Sequence, residues 1–132
     1  MRPARAAAPG APRLWALTEH WLTYTQTPLF AGGCFWAAGL PDFDSRPGAV
    51  RDALAEHRRT WLTLLTDELR HAVAAEQTAE LDPDLVAFQI DAVLMSANTA
   101  LRLGDVDAAS KVRRVVEWLV RAPPASIDMP KD

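Results

Sequence analysis

Cysteine is almost missing from this 132-residue chain, where Cys34 stands alone. A lone cysteine excludes an internal disulfide framework and a structural zinc site built on cysteine pairs, and a reducing, cytoplasmic setting is the simplest expectation. A basic surplus is missing as well. The chain holds 14 basic and 17 acidic side chains, for a net charge of −3. Residues 1–13 carry three arginines and no acid, which leaves 11 basic against 17 acidic groups in residues 14–132, a net of −6. An acidic body of this size is poorly suited to grip DNA through its phosphates. Long hydrophobic runs are missing too. The most apolar loop stretch, Pro28 to Leu40, is interrupted by Gly32, Gly33 and Gly39 and is too short to cross a bilayer. The N-terminal MRPARAAAPGAPR has charge but no apolar core, so it does not read as a secretory signal; residues 1–11 are expected to form a flexible lead-in.

What is present favours helices. There are ten prolines, yet none falls within residues 48–82 or 84–122. Those stretches are rich in Ala, Leu, Arg and Glu, and few Val, Ile or Thr runs alternate with polar residues. The expectation is an all-α domain of about five helices over residues 12–122, with a tail at 123–132. With 49% hydrophobic and 23% charged residues, the chain is long enough for one core.

The first helix is expected from Ala11 to Thr25, with Pro12 in its first turn and Leu14, Leu17, Trp21 and Tyr24 at helical spacing. A short helix over Cys34 to Ala38 precedes a loop, Gly39–Pro47, full of turn formers. A long third helix runs from Pro47 to about Ala75, capped by Ser45 or a neighbour. Its apolar stripe is Val50, Leu54, His57, Trp61, Leu65, Leu69 and Ala72. The fourth opens with Asp82 as cap and Pro83 at its first position and stops at Gly104. The last begins at Asp105 or Asp107 and ends before Pro123.

The fourth helix has two apolar lines where a surface helix has one. Leu85, Phe88, Ala92, Met95 and Thr99 form the first; Val86, Ile90, Val93, Ala97 and Leu101 form the second. Such a helix is either central in its own domain or shared with another chain. The last helix offers a wide β-branched face beside it. Pairing with a second copy is therefore expected through Ile90, Val93, Ala97 and Leu101 together with Val112, Val116 and Leu119. Asp91 sits among apolar neighbours, so it either pairs with an arginine such as Arg58 or faces a polar cavity.

Catalytic and metal motifs are sparse. Glu68 and His71 have the Glu-x-x-His spacing of di-metal bundles, but only one such pair exists, and Glu68 reads as one of several surface charges. His20, His57 and His71 form no local cluster, and His57 is expected in the core. Cys34, between glycines and aromatics, reads as a small buried hydrophobe rather than a nucleophile. No phosphate-binding glycine loop or nucleophile elbow occurs. No enzymatic activity, metal or cofactor is expected. The five tryptophans are Trp15, Trp21, Trp36, Trp61 and Trp118. Several would face an interior between the first three helices, where they either line a ligand cavity or fill a solid core.

The order of segments resembles the C-terminal region of the tetracycline-repressor (TetR) family of bacterial transcription regulators. The resemblance rests on PRLWALTEHWLTY at 12–24, PLFAGGCFWAAG at 28–39, PDFDSRPGAVRDAL at 41–54, RRTWLTLL at 58–65 and LDPDLVAFQIDAVLMSANTALRL at 81–103. It implies that the last two helices build a four-helix bundle with a second copy. It also implies an effector cavity near Trp21, Phe35, Trp61, Phe88, Asp91 and Met95, with Asn98 and Asp91 as orienting polar groups. The effector would be a small, partly apolar molecule. DNA would be contacted only through an N-terminal helix-turn-helix head, which is expected to lie outside this chain. The alternative is a stand-alone dimerisation module that modulates full-length regulators.

Overall fold

The computed structural model describes residues 2–27 and 34–123, apart from the side chain of Phe35. The described residues form six helices and no strand: α1 (Arg2–Arg5), α2 (Ala11–Gln26), α3 (Phe35–Phe43), α4 (Ala49–Ala74), α5 (Pro83–Arg102) and α6 (Ala108–Leu119). Helix α4 packs on α2, α3 and α5, and α5 in turn packs on α6 and α2. The fully buried side chains come from all four larger helices: Leu14, Leu17 and Leu22 of α2, Leu65 and Leu69 of α4, Ile90 and Leu94 of α5, and Val112 and Val116 of α6.

Several boundaries follow from local chemistry. At the start of α5, Asp82 Oδ1 accepts hydrogen bonds from the backbone N–H of Asp84 (3.1 Å) and Leu85 (3.2 Å), while Pro83 has no N–H to satisfy. Other boundaries depart from the sequence expectation. Helix α3 does not stop at Ala38. It continues through Gly39 and Pro41 to Phe43; the proline ring holds a helical φ, and with Pro41 in the last turn the cost is confined to its missing N–H and the crowding of the Ala37 carbonyl. Ser45 does not cap α4. The cap is Gly48, at φ 147° and ψ −177°, a conformation that side-chain-bearing residues avoid, and Pro47 lies outside the first turn. Helix α4 ends with Glu76 in the left-handed region (φ 55°), where Gln77 N–H returns to the Ala72 carbonyl at 2.9 Å.

The segment expected as a lead-in carries α1, which buries Ala4. Two side chains of the α4 region hold the start of α2. Glu68 is only 3% exposed. Its Oε2 accepts from Gly10 N–H at 2.7 Å and its Oε1 from the Arg13 guanidinium at 3.2 Å. Gln77 Oε1 accepts from Ala11 N–H at 2.7 Å. A helix start has free N–H groups, and α2 has no side-chain cap of its own. The caps come instead from residues more than fifty positions away. Glu68 is therefore not an ordinary surface charge, and the carboxylate sits where the helix dipole favours it.

His57 and Val50 are exposed rather than in the core, because the first half of α4 runs out beyond the main bundle, and Leu54 is the only fully buried residue among 49–60. The two apolar lines of α5 also take definite places. Val86, Ile90, Leu94 and Ala97 face inward. Ile90, Ala97, Val112 and Val116 lie inside the chain's own core. Val93, Leu101 and Leu119 are half-buried at its edge. The outward line is Leu85, Phe88, Ala92, Ser96 and Thr99, continued by Leu103 past the helix end and flanked by the exposed Asp84 and Arg102. Residues 124–132, and hence most of the expected tail, lie outside the described residues, as do Pro28–Gly33.

Candidate functional site: an aromatic cavity between α2, α3, α4 and α5

A cavity of about 200 Å³ opens where α3 and the first half of α4 lean against α2 and α5. Trp21 comes from α2, and Cys34, Trp36, Ala37 and Leu40 from α3 and its N-cap. Leu54, His57, Arg58 and Trp61 come from α4, and Phe88, Asp91, Ala92 and Met95 from α5. Each helix contributes by its own register. On α4, Leu54, His57, Arg58 and Trp61 recur at three and four residues; on α5, Phe88, Asp91, Ala92 and Met95 do the same. Three tryptophans thus share one hollow, while Trp15 packs at the edge of the core and Trp118 is on the surface.

The polar part of the wall is small. Asp91 is 5% exposed, and its Oδ2 lies 3.1 Å from a guanidinium nitrogen of Arg58, whose side chain reaches solvent. Of the two sequence alternatives for Asp91, pairing with Arg58 is present, while the cavity it lines is mostly aromatic rather than polar. Burial pushes the Asp91 carboxyl above its usual range, and the Arg58 charge and the nearby Trp61 indole N–H pull it back. That indole N–H is itself buried and makes no hydrogen bond of normal geometry, the one such side-chain group among the described residues. At the rim, His57 stacks on Trp36 with ring centroids 4.0 Å apart and planes 11° from parallel. Partial burial lowers the His57 pKa, so the stacked ring is held neutral to a lower pH than a free histidine.

Of the residues expected at a binding site, Trp21, Trp61, Phe88, Asp91 and Met95 surround this cavity. The side chain of Phe35 lies outside the described residues. Asn98 is not at the wall. It is buried one turn beyond, where its Oδ1 accepts from Cys34 N–H at 3.0 Å and pins the start of α3. Sequence reasoning did not place His57 or Leu40 here. His57 shares the α4 stripe with Leu54 and Trp61, whereas Leu40 is brought in by the packing of α3 along α4. Among the described residues no group of three or more His, Cys, Asp or Glu side chains is placed to hold a metal ion.

A family model described as the tetracycline repressor-like C-terminal domain matches residues 10–116. The chain belongs to this family. No curated protein matches the sequence. The matched stretch of this TetR-type domain runs from the Gly10 anchor on Glu68 through the cavity to Val116 of α6, so it contains every residue described at the site. No helix among the described residues is long and apolar enough to cross a membrane.

Both α5 and α6 expose large apolar side chains. Leu85 and Phe88 are 55% and 57% exposed, and Trp118 is 62% exposed with the Arg121 guanidinium 5.0 Å from its ring centre. On α6, Arg113 turns toward α2, where it forms a bidentate pair with Glu19 at 2.7 and 2.9 Å. Val115 and Trp118 project from the opposite flank. Phe88 belongs to both regions: it lines the cavity and stands on the open face.

Proposed function

We propose that this chain is the effector-sensing and pairing part of a bacterial, cytoplasmic transcription regulator, working as a homodimer and not as an enzyme. The observation that carries the reading is the aromatic cavity with a buried Asp91 paired to Arg58 at its edge, in a domain whose family is regulatory. A small, partly apolar molecule fits such walls. Pairing would use the outward line of α5 with Val115 and Trp118, rather than the inward residues favoured from sequence. The exposed Leu85 and Phe88 of α5 and the exposed Val115 and Trp118 of α6 support this choice.

Helix α4 links the two ends of the domain. Its Arg58 and Trp61 wall the cavity, and two turns later Glu68 holds Gly10 and Arg13. A shift of α4 on effector binding would therefore reach the start of α2, the side on which an N-terminal DNA-reading head would join. An effector drives that shift only by as much as it prefers one dimer geometry over the other. Any contact with DNA would be made by such a head, and no metal or cofactor takes part.

Light scattering on the eluting protein tests pairing. A dimer of the 14.5 kDa chain is expected, and a clean monomer refutes it. Thermal-shift screening with small aromatic compounds tests the cavity; if none stabilises the protein, the sensing role fails. The same open face supports a second reading, pairing with full-length regulators of the family. Mixing the chain with such a regulator and recovering no heterodimer would remove it.

A further inference from the structure

We propose that α3 and the first half of α4, residues 34–60, form a lid over the cavity that opens as one unit and is held shut by the Arg58–Asp91 pair. This deepens the reading of the cavity as an effector site, because it supplies the route of entry. Opening is measurable without an effector, so a failure here leaves that reading untouched.

Burial divides the chain at this segment. Leu54 is the one buried residue among those described in 35–60, whereas the second half of α4 buries Leu65, Thr66, Glu68, Leu69 and Ala72. A segment with so few buried apolar groups opens at a lower free energy than the bundle beneath it. The segment is nevertheless tied to itself. His57 stacks on Trp36, Arg51 Nε donates to the Asp44 carbonyl at 2.7 Å, and Leu54 lies beside Gly39. Contacts that bind α3 to α4 in this way give both helices one opening equilibrium.

The lid covers what an entering molecule must reach. Seven of the thirteen residues around the cavity belong to it, and Trp21, Trp61, Phe88, Asp91, Ala92 and Met95 form the floor. Its two ends are fastened to α5. Cys34 N–H donates to Asn98 Oδ1 at 3.0 Å, and Arg58 reaches Asp91 Oδ2 at 3.1 Å. The second contact acts as the latch. With the lid closed, Asp91 is 5% exposed, and a buried carboxylate without a partner is costly. Arg58 offsets that cost while the lid is shut, and water does so once it lifts. Removing Arg58 therefore penalises the closed state and spares the open one.

The chain carries its own reporter. Cys34 is its single cysteine and is 4% exposed at the cavity wall. Alkylation of the 132-residue chain by iodoacetamide at neutral pH reads opening at that thiol, and native-state hydrogen exchange with mass spectrometry reads it at the amides. After correction for intrinsic reactivity, peptides over 38–43 and 52–58 and the Cys34 thiol should report one opening free energy, lower than that of α5. Arg58→Gln should speed both readouts about fivefold, the worth of a half-exposed ion pair, with α5 exchange unchanged. Arg59→Gln removes only a pair with Glu56 inside α4 and should change neither. Adding Asp91→Asn to Arg58→Gln removes the unpaired charge and should restore the parental rates. A Cys34 thiol that opens only with α5, or α3 and α4 peptides that open at different free energies, overturns the lid. The latch falls if Arg58→Gln changes the readouts less than twofold, if it quickens α5 equally, if Arg59→Gln matches it, or if Asp91→Asn does not restore the rates.

Discussion

Replacing Glu68 with alanine should cost this domain a large part of its stability, although Glu68 touches neither the cavity nor the open face. The carboxylate is almost fully buried and holds the N-terminus of α2 by two bonds, to Gly10 N–H and to Arg13. The first is buried and charge-assisted, worth about 1.5–3 kcal/mol. The second involves an Arg13 side chain that is 24% exposed, so it is discounted to about 1 kcal/mol. The truncation thus costs about 3 kcal/mol, with a buried N–H left bare and a void beside it. For a domain of this length each kcal/mol moves Tm by about 4 °C, so Glu68→Ala should melt about 12 °C lower. Glu68→Gln keeps an acceptor and should fall between. Far-ultraviolet circular dichroism melts at one fixed protein concentration measure this, since pairing would make Tm concentration-dependent. Arg70→Ala, which removes only exposed pairs, serves as the control and should shift Tm little. A Glu68→Ala protein that melts within about 2 °C of the parent refutes the claim that α4 anchors the start of α2.

Other outcomes follow from single residues. Glu76→Gly removes a side chain from a left-handed position and should raise stability by about 0.5–1 kcal/mol, seen as a Tm increase of a few degrees; a decrease would count against the strain at φ 55°. His57 has a lowered folded-state pKa, so its contribution to stability is present above its unfolded value of about 6.5 and is lost as pH falls through the folded pKa. His57→Gln should therefore flatten the acid side of the stability–pH curve below about pH 6.5; an unchanged curve removes histidine from that account. Leu85→Glu or Trp118→Glu should separate the homodimer and leave the helical spectrum intact, whereas Ile90→Glu should unfold the chain. The reverse pattern would return pairing to the inward line of α5.

Much of the helix layout was legible because its causes are local. Asp82 and Pro83 announce the start of α5 through chemistry contained within four residues. The proline-free stretches announce α4, α5 and α6 for the same reason. Local rules fail where a residue has more than one allowed state. Pro41 falls in the stretch expected as a loop, yet α3 accommodates it, and the cap expected at Ser45 or a neighbour is Gly48. At the site, the α5 register put Phe88, Asp91 and Met95 together on one face. The α4 stripe put His57 beside Trp61, and Leu40 joined them only through packing between helices.

By itself, then, the sequence determined an all-helical domain, the positions of its long helices, an acidic body and an aromatic-rich interior, all of which depend on neighbours within a turn or two. The resemblance carried in its motifs pointed to the family as well. The tertiary structure alone decided which apolar line of α5 becomes core. The buried line is the richer in Ile, Val and Leu, yet both are apolar enough for burial, and the placement of α2, α4 and α6 fixes which of them is covered. It alone decided that Glu68, indistinguishable in sequence from its exposed neighbours, is buried as the cap of a helix starting 58 residues earlier at Gly10. In both cases the deciding interaction is long-range, and its energy depends on a geometry that no local pattern of residues specifies.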